Sequence, residues 1–366
     1  VVELCRHLDG LPLAIELAAA RLRTMAVEEI TERLAERFAL LRGPGRDVPD
    51  RHRTLHAVIE WSWQLLDADA QRACRRLCRF PGGVTMSAAA TVLGAGDVEL
   101  DDVLESLVNQ SLLQVVDESG HIRYRMLEMV REFGEEKLVA VESPDPTTAS
   151  ADEANSANEA ESVNDAMWRW ARDFCAMVTE RHVAGIDEAL LTTITADVEN
   201  LVWVLRDSVG VLESASGSDA LGSDARRSDA ASTVVAVYSV LVGYWMVRGL
   251  HVEMLEWGAR LISALPTPPD DLSDAEARNW RLTVVASMAR QMMHRDRRSL
   301  ATARFYLRRL HHRSATFDDP TEFLAACAMG RTPFEVMRIV VRGVDAGGRV
   351  GMAARGIRMN VRENVG

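Results

Sequence analysis

The stretch between residues 67 and 126 limits the possible folds more than any other part of this chain, because short helical runs alternate with tight turns. The helical runs cover residues 67–80, 87–93 and 100–110. Pro81-Gly82-Gly83 and Gly94-Ala95-Gly96 separate them, as glycine and proline usually do at turns. Two strand-like runs follow, over residues 112–116 and 121–126, joined by a polar turn. Three helices followed by a hairpin are the order of a winged helix, which the sequence therefore predicts.

Elsewhere the apolar residues recur every three to four positions, so the fold class is predicted to be mainly α. Residues 142–161 and 213–232 are instead mostly polar or small and lack the apolar residues needed for a packed core, which predicts disordered linkers. The predicted organisation is a helical domain over residues 1–50, the winged helix over 51–140, a linker over 141–162, a tetratricopeptide-like α-solenoid over 163–330 interrupted at 213–232, and an irregular tail over 331–366.

The net charge of −12 argues against broad affinity for nucleic-acid phosphates, because nucleic-acid-binding proteins usually concentrate positive charge. Residues 331–366 depart from this balance, with seven arginines and three acidic residues. This basic tail could bind an acidic partner, or it could be a poorly folded end of the chain.

The cysteine pattern indicates core thiols in a reducing compartment. Cys74 and Cys78 lie one helical turn apart, and no further Cys or His lies near them at metal-ligand spacing. A metal or redox role is the alternative. The odd total of five cysteines, without a disulfide framework, favours the cytoplasm. No uninterrupted apolar run reaches the roughly 18 residues of a membrane span, so no membrane association is expected.

Several ordered motifs resemble the region that follows the P-loop domain in STAND nucleotide switches of the NB-ARC type, in the version of bacterial AfsR-like transcriptional regulators. The blocks are Gly10-Leu11-Pro12-Leu13, Arg51-His52-Arg53-Thr54-Leu55, Leu77-Cys78-Arg79-Phe80-Pro81 and Tyr124-Arg125-Met126-Leu127-Glu128. They follow the family's order and approximate spacing over residues 1–140, and the resemblance weakens beyond. It implies that residues 1–50 are the helical lid of such a switch.

In that family the proline of the first block packs against an adenine base, which would place Gly10, Leu11, Pro12 and Leu13 beside bound ADP or ATP. The chain contains no Gly-x-x-x-x-Gly-Lys-Ser/Thr motif, so the phosphate cradle would have to come from a P-loop domain outside it. We therefore expect neither a cofactor nor enzymatic activity in this chain alone, and ADP or ATP in the intact parent. Without that domain, Pro12 merely begins a helix.

A second nucleotide contact of the family is a Met-His-Asp triplet at the end of the winged helix, and the matching residues here are Met126, Leu127 and Glu128. Leucine cannot donate a hydrogen bond to a β-phosphate, so Leu127 and Glu128 form a degenerate sensor position. Glu128 could instead serve only as a favourable charge at a helix start.

The third helix of the predicted winged helix is acidic. It contains Glu99, Asp101, Asp102 and Glu105 and neither lysine nor arginine. A recognition helix passes close to phosphates, which these carboxylates would repel. The sequence therefore predicts a winged helix that packs against protein and does not bind DNA directly.

The leading functional hypothesis is the regulatory part of a STAND-type transcriptional regulator, which closes over ADP or ATP held by a P-loop domain. Its helical array would sense a protein or small-molecule inducer, and self-association is possible within this scheme. The alternative is a stand-alone helical scaffold for protein interaction, with no nucleotide role.

Overall fold

The computed structural model describes residues 50–94, 100–118, 121–142, 151–184, 188–214, 223–294 and 297–310, together with scattered positions between 12 and 30. The chain divides into two compact units, residues 1–170 and 171–366. The predicted tail at 331–366 lies outside the described residues. Within the described residues the fold is mainly α with one small antiparallel sheet, which confirms the predicted fold class.

The first unit contains the elements of a winged helix in the predicted order. They are α1 (Asp50–Gln64), α2 (Ala68–Leu77), α3 (Met86–Leu93), α4 (Leu100–Asn109), β1 (Gln114–Glu118), β2 (His121–Arg125) and α5 (Glu128–Glu142). Asp67 caps α2, because its carboxylate accepts a hydrogen bond from the Ala70 backbone nitrogen at 2.8 Å. The winged helix and its hairpin are therefore confirmed.

Helix α2 is the central helix of this unit and packs against α3, α4 and α5. Its contact with α5 is close because Gly134 has no side chain. A Cβ at Gly134 would lie only 2.8 Å from the Cβ of Cys78. The glycine therefore sets the separation of the two helices, a role that its sequence context did not reveal.

Aromatic side chains form much of the core around α2. Trp61 and Phe80 are almost fully buried. The ring of Phe133 on α5 makes edge-on contacts with Trp63 of α1, at 5.8 Å between centroids. Phe80 packs edge-on against Trp170 at 5.1 Å. These contacts join α1, α5 and the segment after α2 into one apolar core.

The predicted linker over residues 141–162 is wrong for its second half. Helix α6 (Ala151–Ala184) begins within it, whereas residues 143–150 lie outside the described residues. Residues 151–162 contain few apolar side chains but many Ala and Glu, which favour helix. They continue a helix anchored by the buried Val163, Met167 and Trp168. Helix propensity and continuity with this anchored segment therefore favour the helical conformation of residues 151–162.

The described residues of the second unit are helical apart from short connections such as residues 265–273. Its helices after α6 are α7 (Glu188–Ser214), α8 (Ser223–Arg248), α9 (His251–Ala264), α10 (Asp274–His294) and α11 (Arg297–Arg309). Each packs against its neighbour in the chain, and α8 with α10, and α9 with α11, also make contact. This neighbour-by-neighbour packing is the pattern of a helical array.

The second predicted linker, at residues 213–232, is also wrong in part. Helix α7 continues to Ser214 and α8 begins at Ser223, while residues 215–222 lie outside the described residues. Ala230 and Ala231 are buried. A small-residue segment such as this one can pack closely against a neighbouring helix, so its low content of large apolar residues did not prevent folding.

Among the described residues, one helix is long and apolar enough by composition to cross a membrane. It covers residues 224–248 of α8, with a mean hydropathy of 1.7. Since 72% of the most apolar 18-residue segment of this helix is buried inside the protein, the helix also has the properties of a core helix. Polar residues interrupt its apolar residues, so no uninterrupted apolar run indicated this helix in the sequence.

Candidate nucleic-acid interface and sensor position

Helices α3 and α4 form the helix-turn-helix of the first unit. Helix α3 begins after Thr85, whose hydroxyl accepts a hydrogen bond from the Ala88 backbone nitrogen at 3.2 Å. It ends at Gly94, whose φ of 86° is readily adopted only by glycine. These residues fix both ends of α3 and thereby the point from which the chain continues toward α4.

The outward face of α4 is acidic. Its buried residues are Val103, Leu104 and Leu107. Its exposed residues are Asp101, Asp102, Glu105 and Asn109. In helix-turn-helix proteins the second helix enters the major groove. The exposed residues of α4 are therefore those that would meet base edges.

The wing is tied to the turn after α2 by a contact that the sequence did not reveal. Val84 pairs with Tyr124 of β2 through two backbone hydrogen bonds of 2.8 Å. The preceding Gly83 has a φ of 76°, and a Cβ there would lie 2.8 Å from the Tyr124 carbonyl oxygen. Glycine at this position therefore permits the approach of the turn to the hairpin.

The two faces of the wing differ in character. Val115 and Ile122 are 51% and 52% exposed, so the outer face carries apolar side chains. On the hairpin, the Arg125 guanidinium pairs with Glu118 at 2.8 Å. Arg123 is buried and donates a hydrogen bond to the Gly82 carbonyl oxygen at 3.3 Å. Of the wing's arginines, Arg125 alone is exposed.

Helix α2 carries further arginines with unequal access to solvent. Arg72 is exposed, whereas Arg76 is buried and donates to the Val92 carbonyl oxygen at 3.0 Å. The guanidinium of Arg75 lies over the Trp63 ring, 5.7 Å from its centroid. Arg72 and Arg125 are therefore cations of this domain that a polyanion could reach.

The predicted sensor residues lie where the wing ends and α5 begins. The Leu127 carbonyl oxygen accepts hydrogen bonds from the backbone nitrogens of Val130 and Arg131, both at 2.9 Å. Glu128 is the first residue of α5 and is exposed. Its carboxylate pairs with Arg131, and the hydrogen bond from that guanidinium lowers the pKa of Glu128. Glu128 thus interacts with its own helix.

The predicted adenine-side residues are only partly described. Pro12 is helical and exposed, while Gly10, Leu11 and Leu13 lie outside the described residues. Ala18 and Ile30 are buried within the same N-terminal region. The structure therefore does not bring the two predicted nucleotide contacts, around Pro12 and Leu127, together in one described site.

The cysteines of α2 are core thiols, as predicted. Cys74 and Cys78 are fully buried and form no disulfide bond, and the same holds for Cys175 of α6. Burial raises the pKa of Cys74 to about 12 and raises that of Cys78 further. Among the described residues, no group of three or more His, Cys, Asp or Glu is placed to hold a metal ion.

Comparison with protein families supports the geometry of the first unit. A family model described as a winged helix-turn-helix domain matches residues 66–139, the segment from α2 to α5. No solved structure matches the chain significantly.

Comparison with known proteins points to transcriptional regulators. The chain is 45% identical over 141 residues to a Mycobacterium tuberculosis protein named "Putative HTH-type transcriptional regulator", a match that covers 38% of this chain and 16% of that protein. It is 34% identical over 125 residues to the regulatory protein AfsR of Streptomyces coelicolor, covering 33% of this chain and 12% of AfsR. An uncharacterized protein of Mycobacterium bovis is 38% identical over 143 residues, 38% of this chain and 36% of that protein. The matches thus span about a sixth to a third of the first relatives' length.

These findings correct the prediction that the winged helix does not bind DNA directly. The domain matches a winged helix-turn-helix family, and a similar protein is named as an HTH-type regulator, both of which point to DNA binding. The prediction gave too much weight to the charge of one helix. Phosphate contacts in such proteins also come from the first helix, the wing and helix N-termini, so an acidic α4 does not decide the question. The chain therefore contains a winged helix-turn-helix domain and is similar, over about a third of its length, to proteins named as transcriptional regulators.

Proposed function

We propose that this chain is part of a transcriptional regulator and that its winged helix contacts duplex DNA. The observation that carries the proposal is the complete helix-turn-helix and wing over residues 66–139, with exposed cations on two of its elements. Arg72 is exposed on α2, the helix that precedes the helix-turn-helix. Arg125 lies on the wing. These two residues would contact phosphates.

The acidic face of α4 then has a role in sequence reading. Carboxylates accept hydrogen bonds from the amino group of cytosine in the major groove, and each good base contact discriminates by about 1–3 kcal/mol. Asp101, Asp102 and Glu105 are exposed on α4. We infer that they select cytosine-containing sites, while their charge keeps non-specific affinity low.

Selection from a random-sequence duplex pool, followed by sequencing, tests this proposal. We expect a defined sequence to be enriched, and Glu105→Gln to change the base preferred at one position. Arg72→Gln should weaken binding equally for all sequences and reduce the salt slope by about one. Arg206→Gln, an exposed arginine on α7, is the matched control. The absence of any enriched sequence with the wild-type chain at low salt would contradict the proposal.

A second candidate function is a nucleotide switch of the STAND type. It is favoured by the resemblance of residues 1–140 to the lid and winged helix of such switches and by the position of Leu127 and Glu128 at the start of α5. In this scheme the lid and winged helix close over ADP or ATP held by a P-loop domain. An inducer bound to the helical array would open them, with a coupling of roughly 1–3 kcal/mol. The stand-alone scaffold remains the alternative.

Isothermal titration with ADP and ATP tests the switch. The chain alone should bind neither nucleotide tightly and should not hydrolyse ATP, whereas the chain mixed with a supplied P-loop domain should bind ADP. Leu127→His restores a hydrogen-bond donor and should tighten that binding, while Leu127→Met is the control. Micromolar affinity of the isolated chain would contradict the role of the P-loop domain. No binding in either setting would favour the scaffold.

A further inference from the structure

Four large apolar side chains are exposed together where α8 ends and α9 begins. Each of them is between 39% and 65% exposed: Met246, Val247, Leu250 and Val252. Elsewhere in the described residues, exposed large apolar side chains occur singly or, on the wing, as one pair. Single exposed apolar residues need no explanation, whereas a contiguous group marks a surface that binds a protein or a membrane.

The group continues along α8 toward the start of that helix. Gly243 is exposed three and four positions before Met246 and Val247, so the three residues lie on one side of the helix. The Leu250 backbone nitrogen donates a hydrogen bond to the Trp245 carbonyl oxygen at 2.8 Å, which holds Leu250 against the last turn of α8. The α8–α9 patch therefore comprises Gly243, Met246, Val247, Leu250 and Val252.

The remaining sides of α8 are covered by protein. Helix α8 packs against α7, α9 and α10. Its residues Tyr238, Leu241 and Trp245 are buried. Because neighbouring helices cover these sides, lipid could not surround α8, although residues 230–247 contain no charged side chain. The patch is the part of this uncharged helix that the second unit leaves in contact with solvent.

Gly243 is unexplained by packing within the described residues. No neighbouring atom lies within 4 Å of an added Cβ, and φ at this residue is not positive. Glycine inside a helix is less favourable than alanine, so it usually serves a close approach. Gly258 of α9 serves one, since a Cβ there would lie 2.8 Å from the Ser287 Cα. The open position at Gly243 would let the backbone of another molecule approach α8.

We propose that the α8–α9 patch is the interface of a homodimer, in which it packs against the same patch of a second copy of this chain. In a two-fold dimer a surface meets itself, so it must be complementary to itself. An uncharged apolar surface fulfils this condition, and Gly243 of each copy provides room where the two α8 helices cross.

The charges beside the patch favour a second copy over a partner of one charge sign. Arg248 and Glu253 are both exposed, at the end of α8 and the start of α9. Arg248 contacts neutral groups, the Thr195 hydroxyl at 3.2 Å and the Tyr244 ring. Neither Arg248 nor Glu253 is in an ion pair within the described part of the chain. A second copy supplies the opposite charge for each, whereas an acidic or a basic partner would match one of the two.

The size of the patch predicts a weak dimer. Four partly exposed side chains present roughly a few hundred Å² of apolar surface per copy, whereas a stable interface buries about 800 Å² per partner. We therefore expect a dissociation constant on the order of micromolar, so that concentration controls the fraction of dimer.

Analytical ultracentrifugation of the full chain, from about 1 to 200 μM, tests the proposal. The test variant is Met246→Gln with Val247→Gln. The matched control is Leu65→Gln with Val139→Gln, which makes the same kind of change at exposed apolar positions of the first unit. Thermal unfolding by circular dichroism checks that each variant is folded.

A second variant tests the crossing point without weakening the fold. Gly243→Gln introduces a larger side chain into the patch and favours the helix of the monomer. Gly210→Gln is its control. Gly210 is equally open, but the exposed residues beside it on α7, Arg206 and Glu213, are charged. Loss of the dimer in Gly243→Gln and not in Gly210→Gln could not be ascribed to unfolding.

We expect the wild-type chain to show a monomer–dimer equilibrium, with a dissociation constant that rises about tenfold or more in both patch variants. The controls should change it by less than about twofold. A wild-type chain that stays monomeric at the highest concentration would overturn the proposal, as would a dimer that the folded patch variants leave unchanged. A monomeric chain that floats with phosphatidylcholine vesicles, and loses this in the Met246 and Val247 variant, would assign the patch to lipid instead.

The dimer is measured without DNA, so its outcome is separate from that of the proposed function. A dimer together with a duplex selection that enriches no sequence would leave this inference standing and refute the winged helix proposal. A monomer with an enriched sequence would do the reverse. Where both hold, the enriched sequence should contain two inverted half-sites, because the symmetry of the site mirrors that of a two-fold dimer.

Discussion

The winged helix and the helical region satisfy their buried polar groups in different ways. In the winged helix, Arg76 and Arg123 donate to carbonyl oxygens distant in the chain, those of Val92 near the end of α3 and of Gly82 in the turn after α2. In the helical region, the hydroxyls of buried residues such as Ser208 and Thr233 donate to carbonyl oxygens of their own helices. Short elements joined by tight turns need bonds across the chain, whereas long helices satisfy many groups internally.

This difference implies that the winged helix depends on single residues at points of close approach. The helical region also has bonds across the chain, such as that from Tyr238 to the Met254 carbonyl oxygen at 2.8 Å. Its long helices, however, spread the packing over many residues. A single substitution should therefore destabilise the winged helix more than an equivalent one in the helical region.

Removal of an aromatic ring should give the largest contrast. Phe80→Ala in the first unit should destabilise that unit by about 3–5 kcal/mol, because Phe80 is buried against Trp170. Phe305→Ala in the second unit is the matched substitution at an exposed position, and it should change stability by less than about 0.5 kcal/mol. Urea unfolding followed by fluorescence measures both. Equal losses of stability in the two variants would contradict this difference between the two regions.

Glycine replacement should even differ in sign between the regions. Gly134→Ala places a Cβ 2.8 Å from that of Cys78 and should destabilise the first unit by about 1–3 kcal/mol. Gly210 lies within α7 with no neighbouring atom within 4 Å of an added Cβ. Gly210→Ala should therefore stabilise by about 0.4–1 kcal/mol. Thermal unfolding of the two variants decides the point, and stabilisation by Gly134→Ala would show that the helices can separate freely.

Alkaline pH should destabilise the first unit through Cys74. Burial raises the pKa of this thiol from 9.0 to about 12, so between these values the unfolded chain ionises and the folded one does not. The free energy of unfolding is therefore unaffected below pH 9 and falls as pH rises, by about 1.4 kcal/mol per pH unit for one thiol. Cys74→Ala should reduce this slope by that amount when urea unfolding is measured between pH 9 and 11. An unchanged slope would mean that Cys74 is accessible to water.

The smallest effect should come from an exposed ion pair of the helical region. Arg260 forms two hydrogen bonds to the Glu213 carboxylate, at 3.1 and 2.9 Å, but both side chains are almost half exposed. Glu213→Gln should therefore change stability by less than about 1 kcal/mol, and high salt should abolish the difference. A salt-resistant loss of several times this size would show that the pair is an essential tether.

The sequence predicted the winged helix well because its local signals agree with one another. Asp67 caps α2, Pro81-Gly82-Gly83 turns the chain and alternating residues form the hairpin, and each of these acts over a few residues. The pairing of Val84 with Tyr124 could not be predicted in this way. It joins positions forty residues apart in the chain, and Gly83 marked only a turn.

The two linker predictions failed in part for a different reason. Low apolar content indicated disorder at residues 151–162 and 223–232, yet both segments are helical. Each continues into a helix that larger buried residues anchor further along the chain, as Val163 and Val234 show. These larger anchoring residues lie beyond the two segments whose composition indicated disorder.

The candidate site was also predicted only in part. Leu127 and Glu128 lie where the wing ends and α5 begins, and their role in nucleotide sensing stays a prediction. The conclusion drawn from the acidic α4 was wrong, because a single helix does not represent the surface of a domain.

The sequence by itself determined the mainly α fold class and the order of elements in the winged helix. Periodicity, caps and turns operate within a few residues, so they can be read along the chain. Only the tertiary structure decided where Gly83 and Gly134 permit close approach and which face of α8 remains exposed. Those features depend on which distant residues become neighbours, and that is settled when the whole apolar core packs together.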